Sequence, residues 1–255
     1  MNLYESIYVR KSVRHYKTEE LNQKTIEELK NFIDHLEPLF PEIKIKIEIL
    51  NNISEKERLK GLFVPNAPYY LAFYSEEKEK HDLNAGYILE QISLYMTSKG
   101  IGSCFLGMTK AAKKREEENL HFVIGMAFGI PKGEAVRHDY EANRLSMDEL
   151  CVFKEKPKAW VNEILEAARL APSSLNSQPW RFVIYENRIH VFSKKPTSTG
   201  KSWGKFNEFN FGVMLANVSI AADEIWVDLD LIKLNNITHK TIPNNQYMIS
   251  ILTKQ

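Results

Sequence analysis

Two short segments hold most of the side chains able to do chemistry. Arg10-Lys11-Ser12-Val13-Arg14 packs three cations and a hydroxyl into five residues. A phosphate monoester needs such a group, because guanidinium offers forked donors to its oxygens and serine adds a short hydrogen bond. The same composition also describes a solvated basic turn, and spacing alone does not separate the two. The second segment, Ala171-Pro172-Ser173-Ser174-Leu175-Asn176-Ser177-Gln178-Pro179-Trp180, lies between an expected helix and an expected strand. Its hydroxyls and amides could meet the polar edge of a heterocycle, or could serve only as a helix stop followed by turns.

Other chemistries lack support. Cys104 and Cys151 are the only cysteines, far apart and outside any paired metal or redox spacing, so a disulfide framework or cysteine zinc site is not expected. His81, His121, His138 and His190 show no ligand spacing, and no metal is expected. Thirty-four basic against thirty-three acidic residues leave a net charge of +1, so no whole-chain field would recruit nucleic acid or an anionic membrane. Met1 to Lys17 mixes Glu5, Arg10, Lys11 and Arg14 into its apolar residues, unlike a signal peptide or membrane span. A reduced, cytoplasmic setting follows as the expectation. Lys113 to Glu118 reads as a solvated helix face, and Trp203, Trp226, Phe206, Phe209 and Phe211 as core.

The elements that must position these groups are legible in outline. Leu3, Ile7 and Tyr8 form a short amphipathic stretch before the basic segment. Thr25 with Glu28 has capping-box spacing, and Ile26, Leu29, Ile33 and Leu36 make one stripe of a helix over 25–36, ended by Pro38 and Pro41. Ile43, Ile45, Ile47 and Ile49 alternate with charged residues as a half-buried strand should. Further strands are expected over 69–74 and 122–128, a long helix over 83–99, and a short charged helix over 111–120. Gly100 and Gly102 suit the end of the long helix, where a turn needs positive φ. A helix over 158–170, a strand pair over 181–192 turning near Asn187, a helix over 208–225 and a strand over 247–252 complete the chain.

The second half repeats the order of the first. Asn84, Gly86, Leu89 and Ser93 line up with Asn210, Gly212, Leu215 and Ser219 at a constant offset of about 126 residues, and Leu36-Glu37-Pro38 parallels Leu170-Ala171-Pro172. Two related α+β halves are expected, 1–150 and 151–255, each a β-sheet flanked by helices.

The two chemical segments resemble those of a known family. Ala-Pro-Ser-x-x-Asn-x-Gln-Pro-Trp, here 171–180, resembles the flavin-contacting loop of FMN-dependent nitroreductases, and Arg-Lys-Ser-x-Arg, here 10–14, resembles their N-terminal phosphate motif. Asp82 through Gly107 resembles their central helix and glycine-rich turn, and Asn143-Arg144-Leu145-Ser146 their late phosphate-binding segment. The order departs from the family's: the serine–asparagine loop lies about 160 residues beyond the arginines instead of soon after them. Ordinary members are homodimers that build each flavin site from both subunits, and this chain resembles two such subunits fused by gene duplication, a branch of the family with duplicated halves. The first half has Leu39-Phe40-Pro41 where the polar loop would stand, and the second has no arginine–serine motif in 154–160. One complete flavin site per intramolecular pseudo-dimer is therefore implied.

The resemblance also assigns roles. Arg10, Lys11 and Ser12 match the phosphate ligands, Arg144 a second phosphate cation, and Arg14 the cation near flavin N1 and O2 that stabilises the reduced cofactor. Pro172, Ser173, Ser174 and Asn176 match the loop against the ring and ribityl chain. Phe105-Leu106-Gly107 matches a turn whose backbone approaches the ring, and the family's lysine or asparagine before its second strand has only Lys60 or Arg58 nearby. The implied protein is an FMN oxidoreductase passing electrons from NADH or NADPH to a small acceptor such as a nitroaromatic or quinone, by ping-pong kinetics. It would be a monomer that is itself a pseudo-dimer, with further self-association open. Dehalogenation or dehydrogenation on the same scaffold, and a non-catalytic flavin-binding or regulatory protein, are the alternatives.

Overall fold

The computed structural model describes residues 1–111, 119–194, 206–235, 237 and 245–253. The chain divides into two compact units, Met1–Glu141 and Ala142–Gln255. The segment 142–150, Arg144 included, thus goes with the second unit.

In the first unit, α1 (Leu3–Val9) starts on a reciprocal cap: Glu5 N donates to Asn2 Oδ1, and Asn2 N to the Glu5 carboxylate, both at 2.8 Å. Helix α2 (Gln23–Asp34) is capped by Asn22, whose Oδ1 accepts from Thr25 N at 2.8 Å. This corrects the expected Thr25–Glu28 box: Thr25 lies inside the first turn because asparagine three residues earlier already satisfies the free amide. Strands β1 (Ile45–Asn51), β3 (Tyr69–Glu76), β6 (Leu120–Gly129) and β4 (Gly102–Leu106) form an antiparallel sheet in that order. A small pair, β2 (Lys60–Gly61) and β5 (Thr109–Lys110), stands beside it. Strand β3 is central and buried from Tyr69 to Ser75, which explains its continuous apolar run. β1 lies on the edge, and its alternating isoleucines are half-buried. Between β3 and β4 runs α3 (His81–Ser98), with twelve residues buried.

The second unit reads α4 (Met147–Leu150), β7 (Cys151–Phe153), α5 (Ala159–Leu170), β8 (Trp180–Ile184), β9 (Arg188–Lys194), α6 (Asn207–Glu224), β10 (Leu229–Ile232) and β11 (Asn245–Thr253). Its sheet runs β10-β11-β9-β8-β7. Leaving aside the parallel edge strand β7, β8-β9-β11-β10 has the order and antiparallel pairing of β1-β3-β6-β4. The helices also fall at matching places, α2 with α5 and α3 with α6.

The long helices end alike. After α3, Gly100 has φ +73, Gly100 N donates to Thr97 O and Ile101 N to Met96 O. After α6, Trp226 has φ +56, with Trp226 N on Asp223 O and Val227 N on Ala222 O. Both are Schellman caps, the left-handed residue recurring at the spacing of the sequence repeat. Trp226 therefore faces outward, 94% exposed, and is not the core residue its type suggested. Phe209 and Phe211 are core, whereas Trp203 lies outside the described residues. Gly102 has no positive φ. It sits in β4, paired with Gly129, where a Cβ would come within 2.7 Å of the Val13 side chain. Most of the expected charged helix over 111–120 also lies outside the described residues, and Leu120 opens β6.

Candidate functional site

Arg10 ends α1 in extended backbone and is held on both sides. Arg137 Nε donates to Arg10 O at 2.9 Å, and Val13 N to Ser103 O at 2.9 Å. Its side chain is 4% exposed. Nε donates to Ser93 Oγ at 3.0 Å, Nη1 to Ser12 Oγ at 3.3 Å, and the guanidinium carbon lies 5.2 Å from the centre of the Phe105 ring. The Ser93 and Ser103 hydroxyls pair at 3.0 Å. The third nitrogen, Nη2, is buried with no hydrogen-bond partner, and no carboxylate among the described residues pairs with Arg10. A buried cation without a counter-ion carries a desolvation penalty of roughly several kcal/mol, which a bound anion would offset. Residues 10–14 thus present a buried guanidinium with one donor left over.

Ser12 and Lys11 are half-buried beside it, and Arg14 is exposed. Beneath lie Tyr16 and Cys104. The Tyr16 hydroxyl donates to Val13 O and reaches Ala127 O at 3.2 Å, tying the segment to β6. Burial raises the Tyr16 phenol well above its ordinary range, despite Arg10 and Arg14 pulling it down. Burial likewise raises the Cys104 thiol, against the opposing charges of Arg14 and Arg10 and a hydrogen bond from Ser12. Neither is an available nucleophile or base near neutral pH. Phe105 and Leu106 belong to β4, not to a turn, and only Gly107 lies in the turn that follows. Pairing with β6 turns what looked like a glycine-rich turn into an edge strand.

In the second unit, Pro172 follows α5, and 173–177 form a tight turn closed by Asn176 N on Ser173 O at 2.9 Å and Ser177 N on Ser174 O at 3.1 Å. Three non-glycine residues close together are left-handed: Leu175 at φ +52, Asn176 at +56 and Gln178 at +44. Each costs on the order of 1–3 kcal/mol, so the surroundings must over-determine the loop. Asn210 Oδ1 on α6 accepts from Ser174 N at 2.9 Å and Ser174 Oγ at 3.2 Å. Ser173 Oγ accepts from Gln178 N at 2.9 Å, and Gln178 Oε1 from Leu145 N at 2.8 Å. Asn176 donates to Asn143 O at 2.8 Å and accepts from Arg144 Nη1 at 3.0 Å. Arg144 also donates to Leu170 O, the last carbonyl of α5, at 3.2 and 3.3 Å. Its guanidinium holds the loop to the helix end.

The first unit contains the matching clamp. Asn84 Oδ1 on α3 accepts from Phe40 N at 3.0 Å, just past Pro38, as Asn210 does from Ser174 just past Pro172. The loop there carries Leu39, Phe40 and Pro41 instead of polar side chains, on an equivalent asparagine anchor.

Of the residues singled out from the sequence, Arg10, Ser12 and Phe105 come together in the first unit. Ser173, Ser174, Asn176 and Arg144 come together in the second. Sequence reasoning missed Ser93, Ser103, Arg137 and Gln178 as supports. Ser93 and the two asparagines did carry a signal, their recurrence in the repeat.

Comparison with known proteins bears on this arrangement. A protein of Staphylococcus haemolyticus named "Putative NAD(P)H nitroreductase" is 37% identical over 84 residues, 31% of this chain and 37% of its own length. Another so named, from Staphylococcus saprophyticus, is 32% identical over 82 residues, 32% of this chain and 37% of its own length. The matches thus span little more than a third of these curated relatives. A solved structure from Thermotoga maritima, described as a "putative nitroreductase", superimposes with a TM-score of 0.65 at 20% identity, covering 99% of this chain and 93% of its own. It establishes the α+β nitroreductase-like fold. Among the described residues no helix is long and apolar enough to cross a membrane. The family model described as "Putative TM nitroreductase" matches residues 2–222, and the chain belongs to that family.

Proposed function

We propose that the protein is an FMN-dependent oxidoreductase that takes electrons from NAD(P)H and delivers them to a small organic acceptor such as a nitroaromatic or quinone. The observation that carries this reading is the Arg10 cradle: a buried guanidinium oriented by Ser93 and Ser12, with no carboxylate partner and an unpartnered Nη2 among the described residues. These residues fit a phosphate monoester. Arg10, Ser12 and Lys11 would hold the FMN phosphate, and Arg14 supplies a fixed cation for the negative charge that reduction brings. Pro172, Ser173, Ser174 and Asn176 would present the ring-contacting loop, whose shape Asn210 and Arg144 hold. Because Arg144 is engaged with Leu170 and Asn176, its proposed role is to set that loop. When bound, FMN supplies the two-electron chemistry that these side chains lack.

The shared sheet order, the paired Schellman caps and the Asn84–Asn210 correspondence favour an origin by duplication. The phosphate motif survives in one unit and the polar loop in the other, so the proposed stoichiometry is one FMN per chain in an intramolecular pseudo-dimer. Stopped-flow mixing of the flavin-loaded protein with NADH or NADPH tests the reading. The oxidised flavin band should bleach and return on adding menadione or a nitroaromatic, with parallel double-reciprocal plots. A flavin that never bleaches would leave a binding protein, and intersecting plots would exclude ping-pong kinetics.

A further inference from the structure

The outer edge of β1 in the first unit leaves a row of backbone groups unpaired. Glu76 N donates to Lys44 O at 3.0 Å before the β1–β3 ladder and Asn52 N to Pro68 O at 2.9 Å after it, and the register between is unbroken, from Ile45 against Ser75 to Asn51 against Tyr69. Hydrogen-bonded positions alternate in an antiparallel ladder, so Lys46, Glu48 and Leu50 turn their amides and carbonyls toward β3. Those of Ile45, Ile47 and Ile49 point the other way, and among the described residues they have no partner. Asn51 O, the next outward group, accepts from Glu57 N at 3.0 Å, which closes the far end of the edge.

The second unit shows what this edge of the sheet can take. Its β8, the counterpart of β1, carries a further strand on its outer side: β7, in parallel register from Cys151 against Phe182 to Phe153 against Ile184. β1 has no such neighbour among the described residues. It also lacks two devices that keep a free edge from pairing, since no proline or bulge interrupts 45–51. Beside it a groove of about 400 Å³ is lined by Ile33 of α2 and by Ile47, Ile49 and Leu50, which gives room for apolar side chains from a strand laid along the edge.

The sequence of β1 selects the occupant. Around Ile47, the run Ile45-Lys46-Ile47-Glu48-Ile49 is symmetric in its apolar residues and opposite in its charges. A second β1 laid antiparallel about a two-fold axis at Ile47 sets Ile47 against Ile47 and Ile45 against Ile49 as hydrogen-bonded pairs, so each outward amide and carbonyl gains a partner. Lys46 then faces the other copy's Glu48 at a non-hydrogen-bonded position, where opposed side chains stand closest. Within one strand Lys46 already pairs with Glu48 at 3.4 Å, and the two copies would join these pairs into a ring of alternating charges. An axis at Ile45 would set Lys44 against Lys46, one at Lys46 or Glu48 would set that charge against itself, and one at Ile49 would set Glu48 against Leu50.

We propose that the β1 edge is a self-association surface on which two copies of this chain pair β1 to β1 in the register centred on Ile47. The contact is isologous and therefore closes at two copies. It needs no flavin and stands apart from the oxidoreductase reading.

A ladder this short is a small interface, so a dissociation constant of about 1–100 μM is expected. Sedimentation velocity of the full chain from about 1 to 500 μM should show the 29.6 kDa species giving way to one of twice that mass. Ile47→Pro discriminates: the N–H it removes points away from β3, so the chain should keep its own ladder and its circular dichroism, while dimerisation should weaken at least about tenfold. Lys46→Glu, at a half-exposed side chain, should also weaken it, and Lys46→Glu/Glu48→Lys, which restores opposite charges across the strands, should recover it. A chain that stays monomeric over the whole range would overturn the proposal and leave the edge to solvent or to a different partner. A dimer that Ile47→Pro leaves intact would place the interface elsewhere and overturn it, as would a dimer indifferent to the charge reversal.

Discussion

Replacing Arg10 with methionine separates a ligand-binding arginine from a structural one. Methionine has similar length and no charge, so the variant removes the buried cation without opening a large cavity. In the FMN-free protein the change loses two hydrogen bonds, Nε to Ser93 at 3.0 Å and Nη1 to Ser12 at 3.3 Å. Hydrogen bonds to charged groups contribute about 1.5–3 kcal/mol each. Set against them is the relief of roughly several kcal/mol of desolvation for a cation without a counter-ion. Ser93 keeps Ser103 as a partner at 3.0 Å, so it is not stranded. The two sides nearly cancel, and the FMN-free variant should melt within about 2–4 °C of the parent, equivalent to about 1 kcal/mol for a chain of this size. FMN binding should behave differently: losing a charge-assisted phosphate contact costs on the order of 1.5–3 kcal/mol, roughly ten- to a hundredfold in affinity. Thermal denaturation without FMN and fluorescence titration with FMN give the two numbers. A variant that melts far lower yet binds FMN as well as the parent would show that Arg10 is a structural group.

Three further outcomes follow from the geometry. Asn210→Ala and Asn84→Ala remove equivalent clamps and should destabilise the protein by similar amounts, on the order of 1–3 kcal/mol in urea denaturation; only Asn210→Ala should also weaken FMN binding. Trp226→Gly should raise the melting temperature, since the relief of about 1–2 kcal/mol of left-handed strain outweighs the cost of about 0.5–1 kcal/mol from glycine's greater unfolded-state entropy, and the 94% exposed indole packs little; a fall in melting temperature would sink the strain argument. Burial raises the Cys151 thiol from 9.0 to about 12, with Asp148 adding to the rise. The folded state therefore binds the proton more tightly than the unfolded one, and this contribution is complete below pH 9 and lost as pH rises toward 12. Urea midpoints should fall with pH above about 9, and Cys151→Ala should flatten that fall.

The sequence disclosed elements wherever one periodicity dominated. The alternating isoleucines gave β1, the continuous apolar run of β3 gave a central strand, and the offset of about 126 residues led to a shared sheet order. It failed where a partner decided the outcome. Phe105 and Leu106 look like part of a turn because Gly102 and Gly107 flank them, yet 102–106 becomes a strand by pairing with β6, and β7 is three residues long and exists only against β8. The site followed the same rule. Arg10, Ser12, Ser173, Ser174 and Asn176 were legible as polar groups in patterned segments. Ser103 and Arg137 were not, because each acts through a contact between residues far apart in the chain, and Ser93 and Gln178 were legible only as members of the repeat and of the loop motif, not as supports. Trp226 was misread because its environment is set by a helix cap and not by its hydrophobicity.

The central claim is that the chain carries one complete set of flavin-binding segments, the phosphate motif at residues 10–14 and the polar loop at residues 172–176. The direct measurement is the chromophore content of the purified chain after reconstitution with excess FMN and removal of the unbound fraction, read from the flavin absorbance against protein concentration. The account predicts one FMN per chain, released intact on denaturation, and a marked preference over riboflavin because the Arg10 cradle needs a phosphate to neutralise. Two equivalents per chain, no retained flavin, or riboflavin bound as tightly as FMN would contradict it.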